Sequence, residues 1–321
     1  MAAFGRDTTT DEVLAGHDLH GRRVVVTGAS SGLGEESSRA LAAAGATVAM
    51  LARDEAKLDA AAARIRDRVP DARLEVGRVD LADLASVGAA GGRLVAGDDP
   101  IDVLINNAGV MACPQGRTAD GFEVQLGTNH LGHFLLTALA MPALLAAEAP
   151  RVVTLSSAGH SIADVDVDDL GFEQGSYDPW IAYGRSKSAN ARFARGLAAR
   201  FGDRGLQSYS VHPGAILTDL GRHLDEELLA QMMERSRARG ATHGEDAPFA
   251  FKPVEAGAAT QVWASVADLA GSNGAYLADC GLGEAGGNPN HAGFETFLLD
   301  DDVTDRLWSA SEELVAQALG A

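Results

Sequence analysis

The chain has 321 residues and sets 26 lysines and arginines against 45 aspartates and glutamates, a formal charge of −19. That acidity excludes a surface built to neutralise nucleic-acid phosphates, while 46% apolar and 22% charged residues exclude bulk disorder and suffice for one substantial core. Cys113 and Cys280 are too few for a disulfide framework or a four-cysteine metal site; the first 20 residues hold no signal-peptide run, and the longest greasy stretch, 134–147, is short and broken by Pro142, so the expectation is a cytoplasmic protein without a membrane span.

Residues 1–20 place Thr8, Thr9, Thr10 and Asp11 ahead of Glu12-Val13-Leu14-Ala15. This reads as one capped helical turn on a leader arm that offers little to a core. From Arg22 short β-branched runs alternate with helical patterns. Val24-Val25-Val26 precedes a helix over 33–44, Thr47 to Leu51 precedes one over 54–69, and Leu74 to Val79 precedes one over 83–96. Val103-Leu104-Ile105 leads into a long helical pattern over 121–149, Val152 to Leu155 into a helix over 179–201, and Gln207 to Val211 follows. Near-continuous apolar strands separated by helices predict a parallel sheet covered on both faces. The expected architecture is therefore α/β, a single doubly wound domain over 21–321, with its ligand outside the carboxyl ends of the strands. Residues 217–253 break the rhythm with a polar helical segment ending in Ala247-Pro248-Phe249-Ala250-Phe251, read as a lid beside the ligand crevice. A helix over 254–267, a strand at 275–277, a Gly-rich loop and a terminal helix from about 303 complete the chain.

Thr27-Gly28-Ala29-Ser30-Ser31-Gly32-Leu33-Gly34 joins the first strand to the first long helix. Backbone N–H groups at such a helix start face whatever anion lies there. The spacing is G-x-x-x-G-x-G, out of register with the usual dinucleotide fingerprint. Tyr183 and Lys187 stand four apart on a predicted helix and share a face. Two unit charges about 4 Å apart attract by about 4 kcal/mol at an effective dielectric of about 20, and a pKa unit is about 1.4 kcal/mol. A nearby ammonium is therefore expected to draw the phenol pKa down toward the working range.

The glycine spacing resembles that of the short-chain dehydrogenase/reductase family, and other segments agree in order and place: Asn106-Asn107-Ala108-Gly109, Ser156-Ser157, Tyr183-Gly184-Arg185-Ser186-Lys187, and Pro213-Gly214-Ala215-Ile216-Leu217-Thr218. The 25 residues between Ser157 and Tyr183, with Thr118 to Glu123, look most like the retinol-dehydrogenase-like and WW-domain-oxidoreductase-like branch. The resemblance implies hydride transfer between a nicotinamide cofactor and a carbonyl or secondary alcohol. It makes Tyr183 the general acid or base, has Lys187 hold the nicotinamide ribose, has Ser157 rather than Ser156 orient the substrate oxygen, and matches Asn129 to a residue that holds a relay water. It assigns the dinucleotide to Gly28, Ser30, Ser31, Gly32, Leu33, Gly34, Asp80, Leu81, Asn107, Ala108, Gly109, Tyr183, Lys187, Pro213, Gly214, Ile216 and Thr218. At the end of the second strand Ala52 stands in the slot of a ribose-binding carboxylate, which leaves Arg53 free to clamp a 2′-phosphate. NADP(H) is thereby favoured over NAD(H), unless Arg53 pairs with Asp54 or Glu55. The resemblance also implies a homo-oligomer paired through the helices at 121–149 and 179–201.

Other patterns carry less. The nine histidines lack metal spacing; His130 and His133 read as packing residues and His212 as a support for the loop after it. Asp164-Val165-Asp166-Val167-Asp168-Asp169 lacks the glycine and terminal glutamate of a calcium loop and reads as a short edge strand. No G-x-S-x-G elbow is present. The lid's Leu220, Leu224, Leu228, Met232, Met233 and Phe249 suggest an apolar, medium-sized substrate. A non-catalytic dinucleotide-binding regulator is the rival reading; its mark would be loss of Tyr183 or Lys187, and both are kept.

Overall fold

The computed structural model describes residues 4–97, 99–244 and 250–320. Its centre is an eight-stranded sheet in the order β3-β2-β1-β4-β5-β6-β7-β8, with β1 Arg23–Thr27, β2 Thr47–Ala52, β3 Arg73–Arg78, β4 Val103–Asn106, β5 Arg151–Leu155, β6 Gln207–His212, β7 Tyr276–Ala278 and β8 Gly281–Leu282. Strands β1 to β7 run parallel. Only β8 is antiparallel, because Asp279 and Cys280, both left-handed at φ 49° and 55°, turn the chain straight back.

The strands are apolar on both sides because helices cover both. Alternation along β1 and β2 sorts the core: Val24, Val26, Val48 and Met50 face one layer, Val25, Ala49 and Leu51 the other. The first layer is closed by α1 Thr10–Leu14, α2 Gly32–Ala43, α3 Glu55–Arg68 and, after three helices of the opposite face and the lid, by Val254–Val266. The opposite layer holds α4 Leu84–Val95, α5 Gly132–Leu144 and α6 Pro179–Phe201. The lid helix is α7, Glu226–Thr242, which makes Val254–Val266 α8; α9 is Asp301–Leu319. Carboxylates start most of these helices: Asp54, Asp83, Asp178, Asp225 and Asp300 each accept from N–H groups of a first turn. A small parallel ribbon, β9 Glu284–Ala285 with β10 Gly293–Phe294, fills the Gly-rich loop.

Several sequence expectations change. The arm is built into the core: Val13 is 2% exposed, and Arg39 on α2 binds Glu36 and Asp11, each at 2.6 Å. Two apolar residues in a five-residue helix look dispensable until α8 and α2 supply the surface they cover. The helix over 121–149 is broken into a turn at Val124–Leu126, a π turn at Gly127–Leu131 and α5. The acidic run at 164–169 forms no strand. Its carboxylates are ion-pair acceptors instead: Asp164 for Arg192 at 2.6 Å, Asp166 for Arg185 at 3.2 Å and Asp168 for Arg306 at 2.6 Å. Most consequential is α9, which lies on α6. Trp308 stacks on Phe193 at 5.8 Å and meets Phe134 edge-on at 5.0 Å. Part of α6 and of α5 is thus covered by α9 within the chain.

Candidate active site

In a doubly wound sheet, chain crossovers to opposite sides open a crevice where the strand order reverses, here between β1 and β4. A cavity of about 640 Å³ lies there. Of the residues assigned from the sequence to catalysis or to the dinucleotide, all line it except Gly34 and Asn129. Gly34 has a packing reason: a Cβ on it would fall 2.3 Å from the Gly28 carbonyl oxygen. Asn129, wholly buried in the π turn, spends its side chain as a clamp: Oδ1 accepts from Val110 N at 2.8 Å, and Nδ2 donates to Val110 O at 3.0 Å and Ser186 Oγ at 2.9 Å. It ties the loop after β4 to α6.

Tyr183 and Lys187 emerge one turn apart on α6, each 3% exposed. Ser157 caps the 3₁₀ turn Ala158–Ile162, its Oγ accepting from Gly159 N at 3.0 Å, and its hydroxyl lies near enough to the Tyr183 phenol to favour the phenolate. Ser156 turns to the scaffold, donating to the Lys187 carbonyl at 2.9 Å. This separates two serines that sequence alone left hard to distinguish. The expected acidification of the phenol is not met: burial pushes Tyr183 up to about 12, and the group that pulls it down is Ser157. Burial also draws Lys187 down to about 8, and its Nζ donates to Leu155 O at 3.0 Å. Removing both groups from water disfavours the phenolate and the ammonium alike.

The cavity suits a dinucleotide. Gly32 opens α2 at φ +55°, and a Cβ there would meet Thr218 at 3.0 Å. Ser31 makes no side-chain cap, so the first N–H groups of α2 are left for an anion. Thr128 Oγ1 is buried, belongs to a residue that lines the cavity and has no partner among the described residues. Arg53 is exposed on the cavity wall and forms no ion pair among the described residues, while Asp54 is occupied as the α3 cap, accepting from Lys57 N at 3.0 Å.

Residues with little sequence signal hold these loops. His133 Nδ1 donates to Asn129 O at 2.9 Å, so its Nε2 accepts from Thr27 Oγ1 at 2.8 Å, and Thr27 Oγ1 in turn accepts from Asn107 N and Ala108 N. His212 Nδ1 accepts from Ala158 N at 3.2 Å and Gly214 N at 3.4 Å, so this histidine does support the loop after it. Lys252 lies under Gly214 and pairs with Asp279. Arg6 of the arm reaches the cavity and donates to Ala250 O at 3.1 Å. Beside Tyr183, the lid's Leu224, Leu228 and Met232 pack with Met111, Ile162 and Trp180. Leu220 lines the cavity, Met233 is 47% exposed, and Phe249 lies outside the described residues. Among the described residues no group of acidic, histidine or cysteine side chains could hold a metal ion, and no helix is long and apolar enough to cross a membrane.

The family described as short chain dehydrogenase matches residues 22–229. The chain belongs to that family. It is 38% identical to retinol dehydrogenase 12 of Mus musculus, over 92% of this chain and 87% of that one. Identity to the short-chain dehydrogenase/reductase prx1 of Penicillium roqueforti is 37%, over 91% and 84%. Similarity to retinol dehydrogenases 13 and 14 extends over comparable spans and places this short-chain dehydrogenase in the retinol-dehydrogenase-like branch. A solved structure from Mycobacterium paratuberculosis, described as a putative uncharacterized protein, shares its fold at TM-score 0.72 and 34% identity, over 96% and 97% of the two chains.

Proposed function

We propose that this short-chain dehydrogenase transfers hydride between NADP(H) and a carbonyl or secondary alcohol of a medium-sized, largely apolar substrate. The observation that carries the reading is the convergence of Tyr183, Ser157 and Lys187 on one cavity that also receives the uncapped, glycine-rich start of α2. When bound, the nicotinamide supplies or accepts the hydride. The protein supplies the proton. Tyr183, protonated at neutral pH because burial holds its pKa near 12, donates from Oη as negative charge grows on the carbonyl oxygen. Ser157 Oγ orients that oxygen, and the positive charge of Lys187 stabilises the phenolate left behind.

The preference for NADP(H) rests on Arg53, exposed and without an ion pair among the described residues at the slot where Ala52 stands. The lid cluster beside Tyr183 supports an apolar substrate. A cytoplasmic location is supported by the two free cysteines. For assembly, the cover that α9 forms over α6 favours a monomer in place of the homo-oligomer expected from the resemblance.

Tyr183→Phe tests the reading. NADPH absorbance is followed with a panel of aldehydes and ketones, and the variant is expected to lose roughly a hundredfold or more in kcat while still binding NADPH. Turnover that survives the substitution removes Tyr183 as the proton donor. Absence of turnover in wild type with every carbonyl, alongside tight NADPH binding, would favour a dinucleotide-binding regulator.

A further inference from the structure

The chain is acidic overall, yet its cavity is not. Eight lysines and arginines line it against three aspartates. Arg53 and Lys57 belong to the adenosine end and Lys187 to the reaction centre, but three cations on the lid helix, Arg235, Arg237 and Arg239, are left unexplained by a dinucleotide, and of these Arg237 is exposed while the other two are more enclosed. Arg235 and Arg239 both line the cavity and are half-buried. Neither forms an ion pair among the described residues. Arg239 Nε is fixed by donating to Asn290 Oδ1 at 3.1 Å, and Asn290 is itself anchored to α7 through Nδ2 and Ser236 O at 2.7 Å. The orientation of the guanidinium is set while its terminal nitrogens have no acceptor among the described residues.

Position along α7 gives the pair a meaning. Leu228, Met232, Arg235 and Arg239 follow one another at four, three and four residues, a single helical stripe. Its first two members pack with Trp180 and Tyr183, where a reacting carbon would lie. Its last two carry charge, roughly 5 and 10 Å farther along the axis from Met232. Burial and the like charge of Arg235 lower the Arg239 pKa, and Glu295 acts on it only from beyond ion-pair distance. Two adjacent, partly dehydrated cations destabilise each other, and an oxyanion between them relieves both.

Building on the oxidoreductase reading, we infer that the substrate is amphipathic: an apolar carbonyl compound or alcohol whose distal end bears a carboxylate, held by Arg235 and Arg239. The lid then recognises two things at once, an apolar body against Leu224 and Met232 and a charge beyond it, and sets the reacting carbon at Tyr183 by the distance between them.

The test is calorimetric titration of the NADP⁺-loaded full chain with decanoate, decyl phosphate and methyl decanoate. Decanoate is expected to bind roughly ten- to a hundredfold more tightly than its ester. Arg235→Met with Arg239→Met should erase that difference, while Arg239→Lys, which keeps the charge, should retain part of it; thermal unfolding shows whether each variant is folded. Equal affinity for acid and ester, a preference that survives the double substitution, or binding of decyl phosphate without decanoate overturns the assignment. Reduction of ω-oxodecanoate and its methyl ester separates this inference from the reading beneath it. If neither aldehyde is reduced but decanoate still binds selectively through the arginines, the oxidoreductase reading fails alone. If both are reduced alike through Tyr183, the charge assignment fails alone.

Discussion

A phenol withdrawn from water on the inner face of α6 keeps its proton at neutral pH, because the phenolate would lose its hydration and gain one hydroxyl, Ser157, in exchange. Tyr183 is therefore ready as an acid and reluctant as a base. If Tyr183 is the proton donor, carbonyl reduction needs the protonated phenol and should hold its rate through neutral pH, while alcohol oxidation needs the phenolate and should climb as pH rises toward the Tyr183 pKa near 12. Rate profiles in the two directions, taken at saturating cofactor, check this; parallel profiles would contradict it. Arg53 is the other residue with a separable effect. If it meets a 2′-phosphate, Arg53→Ala should raise KM for NADPH by roughly tenfold or more and leave KM for NADH nearly unchanged, a split measured by steady-state kinetics with each cofactor. Equal changes would remove the NADP(H) preference.

Among elements, the two ends of the chain do more than their sequences announce. Helix α1 contributes Val13 and Leu14 to the core and Asp11 to the Arg39 cluster, so the arm closes the layer over α2 and α8. At the other end α9 covers α6. Arg192, wholly buried, grips Asp164 at 2.6 Å and the carbonyl oxygens of Phe297 and Asp300 at 2.7 Å. This seam carries more weight than the exposed Arg306–Asp168 pair, since removing one partner of a buried pair strands the other charge. With Trp308 seated on Phe193 and Phe134, light scattering should report one chain of 33.2 kDa. A mass of two chains at micromolar concentration would mean that another face associates.

For the molecule as a whole, the sheet and its two apolar layers enclose His130, His133, His160 and His212 as neutral groups. Burial draws the first to about 3, the second and third to about 4, and His212 well below its ordinary value. Each takes up a proton near pH 6.5 once the chain unfolds, so stability is fully present above that pH and is lost as pH falls toward about 4. Each histidine contributes a slope of at most about 1.4 kcal/mol per pH unit in this window, above the range where most carboxylates titrate. Urea midpoints should fall steadily from about pH 7 to about pH 5, and a flat profile would mean that the histidines are solvated in the folded state.

What the sequence determined by itself was local or carried by several residues at fixed spacing. Strands β1 to β6 appear as short β-branched runs, α6 runs over the residues expected of it, and the glycine loop, Tyr183 and Lys187 lie where short-range rules put them. Those signals are legible because a turn, a helix face or a cap involves neighbours a few residues apart. The tertiary structure alone decided the rest: that Ser156 turns to the Lys187 carbonyl while Ser157 acts on the phenol, that burial pushes the Tyr183 pKa up, that Asp164 binds Arg192 and not a strand partner, and that α9 lies on α6. Each of these depends on which distant groups share a water-free volume, and hydration and charge interactions are fixed by that neighbourhood and leave no mark in the order of residues.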